Sequence, residues 1–441
     1  MAKPKMAMIP STVGGSVYSV LPSNGDGDFN FSRASAATRI NAQGLIETVA
    51  VGDNRLNYPL LDGTVQTCPH LLLEPQRTNL VTYSEDFSNA AWTKQNTTII
   101  ENEIISPDGY TNADAIVDTA TNAEHNISRP TNIAVTASSP ITQSVFLKSG
   151  TQPFAMLRNF GVGSQQYFCV VVNLNTGTIT KTQAGTSTSN TSATITDYGN
   201  GWYRVTATAT FATGTLNNPI LHLVNSATPT IGTYGEVTYL GNGTNSIFAW
   251  GFQLENASAY ATSYIPTLSA ATTRIAEVCD GSGNASTFND SEGVLMAQIG
   301  ALAEDNSYKS IELSDGTTAN RMNIWYWIDG TLRVDLHSSS IDQFGVFIDC
   351  DLTIFNKLLV KYKLNDFSVW LNGFEVYTDT SGVTPIGLSD LSFDLGGIYP
   401  FYGKTKQIQY FDSALTDSEL ETLTSWMSFS DMAIDLNYTI Q

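Results

Sequence analysis

Charged side chains are scarce in this 441-residue sequence. Asp, Glu, Lys and Arg together make up 14% of it, against about 25% in an average globular protein. Positively charged residues are fewer than negatively charged ones: the sequence has 21 Lys and Arg residues and 41 Asp and Glu residues, which gives a formal net charge of −20. With no dense run of Lys or Arg, such a surface repels phosphate backbones and anionic lipid. We therefore expect no nucleic-acid partner.

Long apolar runs are also missing. No stretch approaches the length of a membrane span, and the apolar run 6–9 stops at Pro10, too soon for the core of a signal peptide. We therefore expect that the protein does not insert into a membrane and that it is synthesised in a cytoplasm. A protein of this kind that reaches the outside leaves by another route, such as lysis of a host cell.

Cysteine and histidine are too few and too scattered for a disulfide framework or a metal centre. No Cys-x-x-Cys pair and no His-x-x-x-His pair occurs. Reduced, buried thiols are therefore expected at all four cysteines: Cys68, Cys169, Cys279 and Cys350. A nucleophile elbow, a P-loop and a dinucleotide fingerprint are absent as well. These absences predict that the protein is not an enzyme.

What replaces charge is Thr, Ser, Asn and Gly, which suit strand faces and turns. In the run 201–211, apolar residues from Tyr203 to Phe211 alternate with Trp202, Arg204 and threonines, which is typical of a half-buried antiparallel strand. The large apolar residues of 248–254 also alternate and are expected to face a core. Asn-Gly, Asp-Gly and Asn-Thr-Gly turns at 372–373, 329–330 and 175–177 predict hairpins. One helix is predicted, after the capping box 416–419.

The predicted fold class is all-β, with two antiparallel β-sandwiches after an extended N-terminal segment. Residues 1–80 contain dense turn signals at 24–28, 44, 52 and 62–63, which imply short strands. Residues 81–268 and 285–441 carry the long alternations of the two sandwiches, and 269–284 is expected to be a linker.

Several motifs resemble known families. The stretches 31–39 (Phe-Ser-Arg-Ala-Ser-Ala-Ala-Thr-Arg), 44–47 (Gly-Leu-Ile-Glu) and 71–80 (Leu-Leu-Leu-Glu-Pro-Gln-Arg-Thr-Asn-Leu) resemble a head-and-linker segment of bacteriophage structural proteins. The stretches 83–87, 91–94 and 264–267 resemble a jelly roll of the carbohydrate-binding-module type. The stretches 359–361, 369–373 and 403–419 resemble laminin-G or concanavalin A-like lectin domains.

These resemblances imply a virion protein, such as a tail fibre, a head fibre or a capsid decoration, made in the cytoplasm of a bacterial host. Its lectin-like modules would serve adhesion to host-surface glycans or particle assembly. The alternative is a glycan-cleaving enzyme, a glucanase or depolymerase, carried on the virion. Glucanases of the concanavalin type place Glu-x-Asp-x-Glu on one strand. The nearest run here, Asp349-Cys-Asp351, lacks the third carboxylate.

The expected partners are copies of the chain itself, with a trimer favoured, together with capsid or tail proteins and bacterial surface glycans. Residues 1–80 are predicted to attach and oligomerise. The segment carries apolar residues such as Val17, Phe29 and Leu71 but cannot close a core alone, so they must be buried against a sandwich or a partner.

Two pairs of residues are candidate glycan contacts. On the strand 322–328, Trp325 and Trp327 point to the same outward face about 7 Å apart, where two coplanar indoles could stack on sugar rings or pack on a neighbouring strand or subunit. Trp202 and Arg204 pose the same choice in the middle module, where a stacked surface pair is favoured.

A structural calcium ion is the only cofactor that the sequence suggests. Jelly rolls of this kind often hold one near the first strand. Glu85 and Asp86 occupy the matching place, and Asp114 or Asp118 could contribute. Solvated surface carboxylates are the simpler interpretation.

Overall fold

The computed structural model describes residues 3–9, 17–163, 165–428, 431–432 and 435. Within them the chain is almost entirely β-structure, with many antiparallel sheets and a short helix, which confirms the predicted fold class. The described residues contain no helix with the length and apolarity that a membrane crossing requires.

The N-terminal segment forms short strands, as its turn signals predict. They are β1 (Met6–Met8), β2 (Asn30–Ser32), β3 (Ala37–Ile40), β4 (Ile46–Val49), β5 (Leu56–Asn57), β6 (Leu60–Leu61), β7 (Thr64–Val65), β8 (His70–Leu73) and β9 (Arg77–Asn79). Local hairpins join β3 to β4 and β6 to β7, whereas β1 and β8 pair with a strand at 403–411, and β2 and β9 pair with strands in the stretch 272–280.

The middle sandwich follows. Its strands are β10 (Thr93–Gln95), β11 (Thr97–Ile105), β12 (Thr111–Asp118), β13 (Asn122–Ala123), β14 (Asn126–Ser128), β15 (Ile133–Ala134), β16 (Pro140–Ser149), β17 (Phe154–Gly161), β18 (Tyr167–Asn173), β19 (Thr178–Ala184), β20 (Thr188–Asp197), β21 (Trp202–Phe211), β22 (Leu216–Leu223), β23 (Tyr239–Leu240) and β24 (Ser246–Asn256). The order β11-β12-β24-β16-β21-β20 makes a six-stranded sheet, which faces a seven-stranded sheet ordered β10-β14-β22-β17-β18-β19 with β15 on β22. Val205, Ala207 and Ala209 face the core between them, so the alternation predicted for this strand is confirmed.

The strand β24 departs from its predicted alternation. Phe252 and Leu254 face the core, but Phe248 and Trp250 pack on the outer surface of the sheet. Gly251 lies between the two pairs with a φ of 63°, and the register of β24 against β16 shifts at this point. An extra residue of this kind is a β-bulge, and it moves the residues on its two sides to opposite faces. The expectation that all four apolar residues share the core face is therefore wrong.

The last sandwich contains the remaining elements. They are β25 (Thr272–Arg274), β26 (Val278–Asp280), β27 (Glu292–Ala301), β28 (Lys309–Ser314), β29 (Arg321–Tyr326), β30 (Leu332–Ser338), β31 (Ile341–Ile348), β32 (Asn356–Lys363), β33 (Phe367–Leu371), β34 (Phe374–Asp379), β35 (Asp390–Ser392), β36 (Gly403–Phe411) and α1 (Asp417–Thr424). The five-stranded sheet is ordered β31-β30-β29-β28-β35, and the eight-stranded sheet is ordered β34-β33-β32-β27-β36-β8-β5 with β1 on β36. The predicted hairpins and the capping box of α1 are present.

The N-terminal segment is thus part of the last sandwich. Strands β1 and β8 both pair with β36, and Val17, Phe29 and Leu71 lie in the core of that sandwich. The stretch 269–284 is also held in strands, because β25 pairs with β9 and β26 pairs with β2. Pairing of this kind covers a sheet edge that would otherwise be open. Val17, Phe29 and Leu71 are therefore buried within the same chain, whereas Tyr18, Val20 and Val51 remain exposed.

Candidate functional site

The outward surface of the five-stranded sheet carries the candidate site, which we call the polar face. Met322, Ile324 and Tyr326 of β29 point into the core, so Asn323 and Trp325 point away from it. Inter-strand pairing extends this surface into two rows of side chains. One row is Ser310, Trp325, Arg333 and Phe347, and the other is Ser392, Glu312, Asn323, Asp335 and Gly345.

Four aromatic rings cluster at one end of the polar face. The rings of Trp325 and Trp327 lie on the same side of the sheet, 5.8 Å apart, but their planes are inclined by 83°. Tyr308 lies 4.7 Å from Trp327, and Tyr399 lies 5.8 Å from Trp325. The indoles are therefore not coplanar, contrary to the prediction, because edge-to-face contact with neighbouring rings is favoured over a flat array. Trp325 is only 6% exposed, so the predicted glycan contact at this residue is wrong, whereas Trp327 is partly exposed.

Tyr399 reaches this cluster from a strained backbone. Its φ of 52° lies in the left-handed region, which costs a non-glycine residue about 1–2 kcal/mol. Its carbonyl oxygen accepts a hydrogen bond of 2.9 Å from the backbone N–H of Ser310, which ties the loop to the edge of the sheet. The ring remains 42% exposed, so solvent and ligands can reach it.

Asp335 is the polar centre of the face. It accepts a hydrogen bond of 2.9 Å from the indole N–H of Trp325 and lies 3.1 Å from Nε of Arg333. His337 Nε2 lies 3.4 Å from its other oxygen. The guanidinium of Arg333 in turn stacks 4.8 Å from the centre of the Trp327 ring. The charged and aromatic parts of the face are therefore one connected group.

Glu312 lies one strand over from Asn323. Burial raises the pKa of Glu312 to about 7, although hydrogen bonds from Asn323 and Ser314 act in the opposite direction. The Asn323 amide lies 3.2 Å from the Glu312 carboxylate. Near neutral pH this carboxyl group is divided between its protonated and ionised forms, so it can either donate or accept a hydrogen bond.

Trp202 and Arg204 are not available to a ligand. Only 2% of Trp202 and 7% of Arg204 is exposed. The indole N–H donates to the carbonyl oxygen of Ile105 at 3.0 Å, and the guanidinium donates to Ser144 and stacks on the ring of Phe146. The predicted glycan contacts at these two residues, and the stacked surface pair, are therefore wrong.

The carboxylates that were predicted as possible calcium ligands bind other groups of the protein. Glu85 accepts a hydrogen bond from the Tyr264 hydroxyl, and Asp86 accepts bonds from Ser88 and Asn89. The Lys94 ammonium donates to the carbonyl oxygens of Ser88 and Asn89 at 2.5 Å each.

Asp114 and Asp118 bind backbone N–H groups, at Phe87 and Gly243 respectively. Among the described residues, no group of three His, Cys, Asp or Glu side chains could hold a metal ion. The lysine ammonium thus supplies the positive charge beside Asp86 and Asp114. Burial lowers the pKa of Lys94 below its usual value, although the charges of Asp86 and Asp114 act in the opposite direction.

The other residues singled out from the sequence are Asp351 and the four cysteines, and none of them belongs to the polar face. Asp351 lies beyond the end of β31 and accepts hydrogen bonds from Thr353, as in a turn. All four cysteines are free thiols. Cys169 and Cys279 are buried as predicted, but Cys68 is exposed and Cys350 is only partly buried. Tyr308 and Tyr399 were not predicted as part of the site, because both lie outside the strands of the sheet and carry no periodic signal.

No protein-family model and no curated protein matches the chain. Solved structures match it in part. The carbohydrate-binding module (CBM40) of a Ruminococcus gnavus IT-sialidase, bound to α2,3-sialyllactose, is 17% identical over 33% of this chain and 93% of its own, with a TM-score of 0.28. Domain 4 of the arabinanase AbnA from Geobacillus stearothermophilus, in complex with arabinotriose, is 13% identical over 38% of this chain and 83% of its own, with a TM-score of 0.29. A Trypanosoma rangeli sialidase is 9% identical over 74% of this chain and 62% of its own, with a TM-score of 0.28. At these values no residue role carries over to this chain.

Proposed function

We propose that this protein binds glycans through the polar face, as a fibre or decoration on the surface of a bacteriophage particle. The observation that carries the binding role is the grouping of Trp327 and Tyr399 with Arg333 and Asp335 on one outward sheet surface. Aromatic side chains with a few fixed polar groups are the usual composition of small-ligand sites. A sugar ring offers an apolar face for the rings and hydroxyls for the polar groups.

The polar face also supplies the contrast between fixed and reachable groups that a binding site needs. Asp335 and Asn323 are buried and held by neighbours, whereas Phe347 and Tyr399 are 53% and 42% exposed. Gly345 pairs with Asp335 and leaves that position in its row without a side chain. The guanidinium of Arg333 lies over this position, 3.3 Å from where a side chain would begin, so a ligand that rests on the rim rings would meet Arg333, which is held by Asp335.

We propose binding without cleavage. The Asp335 carboxylate is paired with Arg333 and accepts a hydrogen bond from the indole of Trp325, so both groups already occupy it. Asp351 is engaged by Thr353. A glycan-cleaving enzyme remains the alternative, and release of reducing sugar from a capsular polysaccharide would support it.

The virion assignment is supported by the resemblance of 31–39, 44–47 and 71–80 to phage head-and-linker segments. In this proposal the chain self-associates, with a trimer favoured, and attaches to capsid or tail proteins through its N-terminal segment. Electron microscopy of particles labelled with an antibody against this protein tests it. Absence of label from every particle would contradict it.

The binding proposal is tested with Trp327→Ala and Tyr399→Ala on an array of bacterial surface glycans. Each variant should bind about tenfold more weakly, which corresponds to about 1.4 kcal/mol, and should lower the melting temperature of the parent by no more than about 4 °C. Tyr110→Ala is the matched control, because Tyr110 is a 71% exposed aromatic residue of the middle sandwich. Undiminished binding by both variants would place the site elsewhere.

A further inference from the structure

A cavity of about 260 Å³ lies where three parts of the chain meet, and we call it the junction cavity. The N-terminal segment contributes Leu60 and His70 to its wall, the middle sandwich contributes Tyr198, and the last sandwich contributes Phe355 and Lys404. The wall is mainly apolar. An entirely apolar cavity of about 150 Å³ accommodates benzene in another protein, so the volume of the junction cavity suffices for a molecule with one ring.

Lys404 places a cation in this wall without an anionic partner. Its ammonium donates to the carbonyl oxygen of Thr353 at 2.7 Å and lies 5.3 Å from the centre of the Phe355 ring. In the described part of the chain no carboxylate lies within ion-pair distance of it, although the charge of Asp351 acts to raise its pKa. Burial lowers the pKa of Lys404 to about 8, so most of the group is charged at neutral pH. Lys404 is partly buried, and a charge that is partly removed from water without an adjacent counter-ion is costly.

The second lysine of the cavity is already compensated. Lys406 forms an ion pair with Asp435, and both residues line the cavity. The wall therefore carries one net positive charge at neutral pH, in a protein whose net charge is −20.

His70 adds a hydrogen-bond donor without an acceptor. Asn57 Oδ1 accepts a bond of 2.8 Å from the N–H of Ile40, so its Nδ2 is the atom that donates to His70 Nε2 at 3.3 Å. Burial and the nearby Lys404 and Lys406 hold the pKa of His70 well below its usual range. The ring is thus neutral, with its proton on Nδ1. That nitrogen is buried and has no partner in the described structure.

We propose that the junction cavity binds a small monocarboxylate with an apolar or aromatic body. The unpaired ammonium of Lys404 requires one negative charge, and the unpartnered N–H of His70 requires an acceptor. The apolar wall disfavours a strongly hydrated ion. A planar carboxylate on a small apolar body supplies all three properties. This site is separate from the polar face and does not depend on glycan binding.

The test uses the full-length protein and isothermal titration calorimetry with benzoate. Benzamide is the control ligand, because it has the same shape without the charge, and inorganic phosphate tests for non-selective anion binding. Benzoate should bind with 1:1 stoichiometry, and benzamide and phosphate at least about tenfold more weakly. Benzoate affinity should fall as the pH rises through 8, because Lys404 then loses its proton.

Lys404→Met should abolish benzoate binding while Lys363→Met, at a lysine whose side chain is 49% exposed, should leave it unchanged. Trp327→Ala should also leave it unchanged, which separates this proposal from the glycan site. Equal binding of benzoate and benzamide, no binding of benzoate by the parent, or full binding by Lys404→Met would overturn the proposal. If Lys404→Met does not fold, an affinity that stays constant between pH 7 and 9 would overturn it instead.

Discussion

Two outward sheet surfaces of this protein each carry a tryptophan that alternates with core-facing residues along its strand. One of these surfaces is covered by another segment of the chain, and the other is partly exposed. In the middle sandwich, Trp202 packs with Phe146, Trp250 and Tyr264 beneath Ile46 of the N-terminal segment. In the last sandwich, the polar face keeps partly exposed rings at its rim. Strand periodicity shows that a side chain points away from a core, but it does not show whether another segment covers it. The polar face is therefore the better candidate for recognition.

The N-terminal segment covers the outer surface of the middle sandwich, and a buried ionic cluster holds it there. The cluster comprises Arg33, Arg55, Glu74, Arg274 and Glu277. Arg55 binds Glu277 at 2.6 Å and Glu74 at 2.7 Å. Arg274 lies 2.8 Å from Glu74, and Arg33 lies 3.1 Å from Glu277. Burial alone would raise the pKa of Glu74, but Arg274 and Arg55 outweigh it and lower that pKa to about 2. The cluster joins the N-terminal segment to the strands that follow the middle sandwich.

Breaking this ionic cluster should have the largest effect on the difference between the covered surface of the middle sandwich and the open polar face. Glu277→Gln leaves Arg33 and Arg55 without their shared carboxylate, and breaking a buried pair costs about 3–5 kcal/mol. We expect a loss of about 4 kcal/mol in the free energy of unfolding, measured by urea denaturation. Glu47→Gln is the control, since the Arg39–Glu47 pair is partly exposed and contributes about 1 kcal/mol or less. Equal losses in the free energy of unfolding for Glu277→Gln and Glu47→Gln would show that the cluster does not hold the N-terminal segment on the middle sandwich.

Removing one indole from each surface sharpens the comparison. Trp202→Ala should destabilise the fold by about 3 kcal/mol, because the vacated space lies under the N-terminal segment. Trp327→Ala, at a half-buried ring, should cost about 1 kcal/mol and act mainly on glycan binding. Thermal unfolding of both variants measures the difference. A larger stability loss at Trp327 than at Trp202 would contradict this account.

A smaller effect is expected from the acid of the polar face. Because the folded-state pKa of Glu312 is raised to about 7, its contribution to stability is present below the unfolded pKa of about 4.3 and is lost as the pH rises through 7. Glu312→Gln should therefore be more stable than the parent at pH 9, by on the order of 2 kcal/mol, with little difference at pH 4. The exposed Glu375→Gln serves as the control. A parallel pH profile for Glu312→Gln and the parent would rule out the raised pKa.

The glycan candidates show where sequence-based prediction succeeds. The alternation of 322–328 correctly separates Met322, Ile324 and Tyr326 from Trp325. It could not predict the inclination of the two indoles, because Tyr308 and Tyr399 arrive from outside the sheet. It also could not predict the burial of Trp202, which depends on Ile46, more than 150 residues earlier.

The sequence by itself determined the local structure: the all-β class, the hairpins at Asp329-Gly330 and Asn372-Gly373, and the helix after Thr416. These follow from residue periodicity, turn chemistry and capping, which act within a few residues. Only the tertiary structure decided that the first strands complete the last sandwich, that Glu277 meets Arg33 and Arg55, and that His70 and Lys404 share a cavity. Such contacts join residues more than 200 positions apart, and no local pattern encodes which distant strand edge a short strand will pair with.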